Sequence, residues 1–242
     1  GAFALITFVV MLKKIRHSSH VIYPLIRGQI WRTGLRLLPM TSFLGFALGL
    51  VIIGQTVFLL SRVGVTDFTG TIMVTVVVRE LGPMIAALLV LARVGTAIVI
   101  ELGTSRALGE VEALEALGID PVHFFVVPRV IGLTLSIFSL TIYLIITALL
   151  SGYLFAFLQD VPLQPADYFN QLANALTWQD FALLALKTSL FGVIIAVVTC
   201  YQGLAQPLHI EEVAAVTTRA VAHSVVACVL LDALFIVIYL VL

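Results

Sequence analysis

Five stretches of this chain are apolar for about the ~20 residues that a helix needs to cross a ~30 Å hydrocarbon core. They run from Pro39 to Leu60, Ile72 to Leu102, Phe124 to Leu158, Phe181 to Cys200 and Val213 to Leu242. No single feature restricts the fold more. In hydrocarbon every backbone N–H and C=O must be satisfied within the protein, so stretches of this length read as helices. Composition agrees: 61% of the 242 residues are hydrophobic and 11% are charged. A soluble domain carries about 25% charged residues. The expectation is an all-α integral membrane protein, with no surface suited to nucleic acid. Formal net charge is zero, so the placement of charge is informative and its total is not.

Ahead of the first span the chain has a different character. Phe3 to Leu12 is apolar but too short to cross, and the basic cluster Lys13, Lys14, Arg16 follows it, the wrong polarity for a signal peptide. From Val21 to Leu38, Arg27, Arg32 and Arg36 alternate with apolar residues beside Tyr23 and Trp31, which is interfacial chemistry. Residues 1–38 are therefore expected to be membrane-associated helices, and 39–242 a five-helix domain. Opening on Gly1 rather than Met, the chain is expected to lack its natural N-terminus. Gly45-x-x-x-Gly49 and Gly54 in the first span allow close helix contact, a dimer contact among the options. Cys200 and Cys228 fall in apolar runs and read as buried thiols.

Lys and Arg set the orientation. They crowd the N-terminal tail, flank the segment 103–121 and recur after the last loop, while Val130 to Leu186 has none. The tail, the 103–121 elbow and the last loop are expected on the cytoplasmic side. The acidic stretch Gln159–Asp180 and the C-terminus are expected outside.

The second span carries unusual chemistry. Pro83 has no N–H to give the carbonyl of Arg79, so a kink is expected there. Arg93 lies inside the span, where charge is costly unless it faces protein or water. Counting 1.5 Å per residue from the cytoplasmic ends, Glu80 and Asp232 fall about 30 Å up their helices, and Arg79 and Lys187 lie at a similar outer depth. One or two buried ion pairs are one expectation for these four charges; a functional site is the other.

The run RELGP…ARVGTAIVIELG…EALEALGIDP…VVPR, from Arg79 to Arg129, resembles the MlaE (YrbE) family of ABC-transporter permeases. The stretch TTRAVAHSVVACVLLDALF, Thr217 to Phe235, resembles the end of those permeases. The resemblance implies a homodimeric permease of the bacterial inner membrane that moves phospholipid between membranes and maintains outer-membrane lipid asymmetry. It implies a separate cytoplasmic ATPase holding ATP and Mg, and a periplasmic lipid-passing substrate-binding subunit. This chain itself would be non-catalytic, without a cofactor or metal.

On that reading Ser105 to Gly118 forms a short cytoplasmic coupling helix. Arg106, Glu110, Glu112 and Glu115 would meet polar groups of the ATPase, and Leu114 and Leu117 would enter an apolar groove. Lipid would sit near the outer leaflet against Leu59, Leu60, Val76 and Val77. Arg79 would pair with a phosphate, Glu80 would hold that Arg or help to expel the headgroup, and Asp232 would belong to the same site.

Absences fit the resemblance. No G-x-x-x-x-G-K-[ST] occurs, no H-E-x-x-H, and no internal repeat. His17 and His20 lie on a basic tail and read as solvated groups. Two other classes compete: an ion channel or secondary carrier whose charges line an aqueous path, and a membrane-embedded enzyme using Glu80, His223 and Asp232.

Overall fold

The computed structural model describes residues 19–63, 69–158, 165–205 and 210–241. The expected helix over Phe3–Leu12, the basic cluster Lys13, Lys14, Arg16 and His17 lie outside them. Among the described residues there is no strand. Helix α1 is Ser19–Thr33. A 3-10 turn at Leu35–Leu37 separates it from α2, which runs through Leu38–Leu48, Gly49–Ile53 and Gly54–Val63. Helix α3 comprises Thr69–Met73, Val74–Leu81, Gly82–Val90, Leu91–Gly95 and Thr96–Ala107. The short α4 is Glu110–Ala116. Helix α5 starts at Val122–Val126 and continues through Val127–Leu158; α6 is Pro165–Ala175. Helix α7 is Trp178–Leu204, and α8 is Val213–Val241 after a 3-10 turn at Ile210–Glu212.

Among the described residues five stretches are long and apolar enough to cross a membrane: Pro24–Leu60, Gly70–Ala107, Val122–Phe155, Trp178–Leu204 and Val213–Tyr239. The chain is thus an all-α multi-pass membrane protein. The first, second and fourth run longer than their apolar cores suggested. The first reaches back through α1, with the break at Gly34–Leu37. The second has 38 residues, about 57 Å of helix.

Two expectations about the connections are corrected. Gln159–Asp180 is not a plain loop. Within it α6 starts on Pro165, whose fixed φ suits a first helical turn, and buries Tyr168 and Leu172 one turn apart. Its surface face keeps the segment's average polarity high and hides that stripe. Nor do residues 105–118 form one helix. Helix α3 continues to Ala107, and Gly109, at φ 76°, breaks the chain before α4. Gly118, at φ 75°, ends α4 in a Schellman motif, with the N–H of Ile119 donating to Leu114 and that of Gly118 to Glu115. The carboxylate of Asp120 then accepts from the N–H of Val122, and Pro121 opens α5.

The chain folds as two compact units. One comprises Leu37–Ala86 and Phe138–Thr188; the other comprises Ala87–Ile137, Ser189–Leu242 and the described N-terminal residues 19–36. In the first, Ile53, Val57, Met73, Val74, Val77, Val78, Ile145, Ala148, Tyr168, Leu172 and Leu184 form the core. Gly45 and Gly49 face α5 there: a Cβ on Gly45 would overlap Thr147, and one on Gly49 would overlap Ser151. The small-residue stripe is therefore used within the chain, where Ser151 reaches Phe46 O at 3.3 Å, and the option of a dimer contact through it is set aside. In the second unit Gly203 admits Leu102, and Gly192 lies against the backbone of Thr134. Cys200 and Cys228 are free and buried, as expected.

Candidate functional site: a charged cluster at a break in the second span

The backbone sets up the cluster before any side chain does. Over Val74–Leu81 helix α3 widens to π geometry, with the N–H of Gly82 donating to Val77 O, five residues back. Pro83 stands just beyond and supplies no N–H. From another helix, Lys187 Nζ donates to the Arg79 carbonyl, the one that Pro83 cannot serve, at 2.9 Å. At the expected kink site the helix shows a π-helical widening, and the Arg79 carbonyl forms one arm of a site.

Lys187 is fully buried, yet it sits on a membrane span. An ammonium in that position must be surrounded by acceptors. Besides the Arg79 carbonyl it donates to Glu80 Oε2 at 2.9 Å. Its neighbour Thr188 turns its hydroxyl back to Leu184 O.

Arg79 is held separately. Its Nε lies 2.7 Å from Asp180 Oδ1, with 26% of the Arg79 side chain exposed and 3% of that of Asp180. Asp180 is fixed by the start of α7, where its Oδ2 accepts from the N–H of Thr177 at 2.8 Å and from the Thr177 hydroxyl at 2.9 Å. This is half of a capping box, and its signal is present in the sequence as Thr177-Trp178-Gln179-Asp180 before an apolar run. Reading Asp180 only as the end of an acidic loop misses that role.

Two cations and two carboxylates thus meet in one unit, and their formal charges cancel. That balance lowers the cost of keeping them at membrane depth, and the partly exposed Arg79 leaves one edge within reach from outside the core. Beside the cluster, Tyr168 packs on Tyr153 at 5.2 Å between ring centroids and donates to Leu149 O at 3.0 Å. Burial pushes its phenol well above the ordinary range.

The other expected lipid contacts divide. Leu59 and Val76 are exposed and Leu60 is half-buried. Val77 is corrected: it is packed in the core against α5 and α6 residues, because the outward position on this stretch belongs to Val76. Asp232, half-buried on α8, belongs to the other unit.

The elbow is braced from both sides within its own unit. Arg106 pairs with Glu112 at 3.1 Å, and Arg129 with Glu101 at 3.1 Å. Arg129 also donates to Phe125 O and lies over the Phe125 ring. Val111 is buried and anchors α4. Leu108, Leu117 and Ile119 are exposed with Glu110 and Glu115, while Leu114 is half-buried. Two of the residues expected to face a partner are thus already engaged with each other: Arg106 and Glu112.

A sequence profile described as Permease MlaE matches residues 26–238. A probable ABC transporter permease protein of Rickettsia typhi is 30% identical over 224 residues, 93% of this chain and 85% of that protein. The intermembrane phospholipid transport system permease protein MlaE of Haemophilus influenzae is 25% identical over 211 residues, 87% of this chain and 80% of that protein. The chloroplastic protein TRIGALACTOSYLDIACYLGLYCEROL 1 of Arabidopsis thaliana is 29% identical over 229 residues, 89% of this chain and 64% of that protein.

Proposed function

The chain belongs to the MlaE permease family, and from that premise we propose that it is the membrane subunit of an ABC transporter that moves phospholipid between the bacterial inner and outer membranes. The observation that carries this reading is Arg79: an arginine at membrane depth, clamped by Asp180 yet partly exposed, on a helix locally widened to π geometry. A guanidinium fork matches phosphate oxygens bidentately. A headgroup phosphate would compete with Asp180 for Arg79, while Lys187 keeps Glu80 from repelling it. Acyl chains would lie along Leu59 and Val76.

The chain works as a homodimer in the inner membrane, with the N-terminus cytoplasmic and the C-terminus periplasmic. A separate ATPase binds ATP and Mg and docks on α4. Support for that docking comes from the exposed apolar set Leu108, Leu117 and Ile119 beside Glu110 and Glu115, on a helix anchored by Val111. A periplasmic substrate-binding subunit passes the lipid on.

The test is purification of the tagged chain from its native membrane, with proteins and lipids identified by mass spectrometry. An ATPase subunit and phospholipid are expected together, and Arg79→Ala should lower the phospholipid while the ATPase stays bound. Recovery without any ATPase, with ion flux from the chain alone in liposomes, would establish the channel reading instead.

A further inference from the structure

Arg93 takes no part in the cluster above. It lies in the second π-widened stretch of α3, Leu91–Gly95, where the N–H of Thr96 donates to Leu91 O. The widening leaves the helix self-sufficient, because the Thr96 hydroxyl donates to Ala92 O at 2.8 Å. Arg93 itself is exposed, and it forms no hydrogen bond or ion pair among the described residues. The next charged residue along the helix is Glu101, eight positions on, about 12 Å of helix. In a ~30 Å core that places Arg93 deep in the membrane, where an exposed guanidinium demands an acceptor.

Helix α8 packs on both Leu91–Gly95 and Thr96–Ala107, and its exposed titratable groups are Arg219 and His223. Of the acidic groups, Glu101 is bound by Arg129, Asp232 is half-buried, and Glu211 and Glu212 are exposed in the turn that precedes α8. The side chains exposed beside Arg93, Ala92 and Ala97, are small and leave room for a bulky group.

We propose that Arg93 holds the phosphate of a phospholipid that has entered the membrane-embedded part of this unit, a second headgroup position besides Arg79. The assignment rests on the phospholipid-permease reading and adds a specificity-determining residue to it. Its guanidinium supplies two parallel charge-assisted donors to a phosphodiester, which a neutral lipid without a phosphate cannot accept.

The experiment places a photo-crosslinker at Ala97 or at Val76 in the full chain, in membranes whose lipids carry radiophosphate. Ala97 should capture phospholipid. Arg93→Gln should lower that capture about tenfold, the loss of one charge-assisted contact, and Arg93→Lys should retain part of it. In the unaltered chain, added phosphatidylglycerol should compete and diacylglycerol should not, a comparison that does not depend on a variant folding. Undiminished capture in Arg93→Gln, or equal competition by diacylglycerol, overturns the inference. Loss of capture on adding inorganic phosphate alone reassigns the site to a free anion and overturns it too. An interchain disulfide formed by Ala97→Cys in place of lipid capture shows a second copy on this face and likewise overturns it. Capture at Val76 but not at Ala97 sinks only this inference, whereas capture at neither sinks the permease reading itself.

Discussion

Lys187 is the residue on which most of the cluster depends. Its ammonium serves a carboxylate and a carbonyl that Pro83 cannot serve. Lys187→Met keeps the volume but strands both acceptors, so a loss of about 3 kcal/mol is expected, the scale of a broken buried pair. Thermal unfolding in detergent checks this, and Glu80→Gln added to Lys187→Met should return part of the loss. If the single variant is as stable as the parent, the pair is not structural. Tyr168 gives a prediction in pH. Its phenol is raised when folded, so the folded state keeps a proton that the unfolded state releases above about pH 10. Stability should therefore fall as pH rises past that point. Tyr168→Phe should flatten the alkaline slope while costing about 1 kcal/mol for the lost bond to Leu149 O.

At the scale of helices, the contact between α2 and α5 depends on the absence of side chains. Gly49→Val should destabilise by about 1–3 kcal/mol or more, since Ser151 and the Ala148 carbonyl occupy the space a side chain would need. The midpoint of denaturation in SDS reads the effect, and an unchanged midpoint would mean that the helices can separate at no cost. Helix α4 separates anchoring from display. Leu117→Asp should release the ATPase and leave the unfolding temperature unchanged, because Leu117 is 75% exposed. Val111→Ala should lower that temperature, because Val111 is 1% exposed. Full ATPase recovery with Leu117→Asp would place the docking surface elsewhere.

For the molecule as a whole the quantity to measure is orientation. Single cysteines at Ala166 and at Leu108, both exposed, report on opposite ends of the proposed topology. In intact cells an impermeant thiol reagent should label Ala166→Cys and leave Leu108→Cys unmodified, and opening the membrane should expose the latter. Labelling of Leu108→Cys from outside would invert the protein and remove α4 from reach of any cytoplasmic ATPase.

The sequence alone determined the class, the number of spans and the special character of the second one. Those properties depend on apolar run length, on the missing N–H of Pro83 and on the cost of charge in hydrocarbon, all local or additive along the chain. It placed Arg79, Glu80 and Lys187 at a common depth by counting residues, but it did not say which cation meets which carboxylate. Only the tertiary structure decided that, because Arg79 meets Asp180 across 101 positions of chain and Lys187 meets Glu80 across 107. The same holds for Val77, which belongs to the core, and for the glycines of α2, whose partner is α5. The side to which a residue on a wholly apolar helix turns is not written in its periodicity, since hydrophobicity cannot distinguish lipid from protein neighbours. Packing makes that choice, through the shape of what lies opposite.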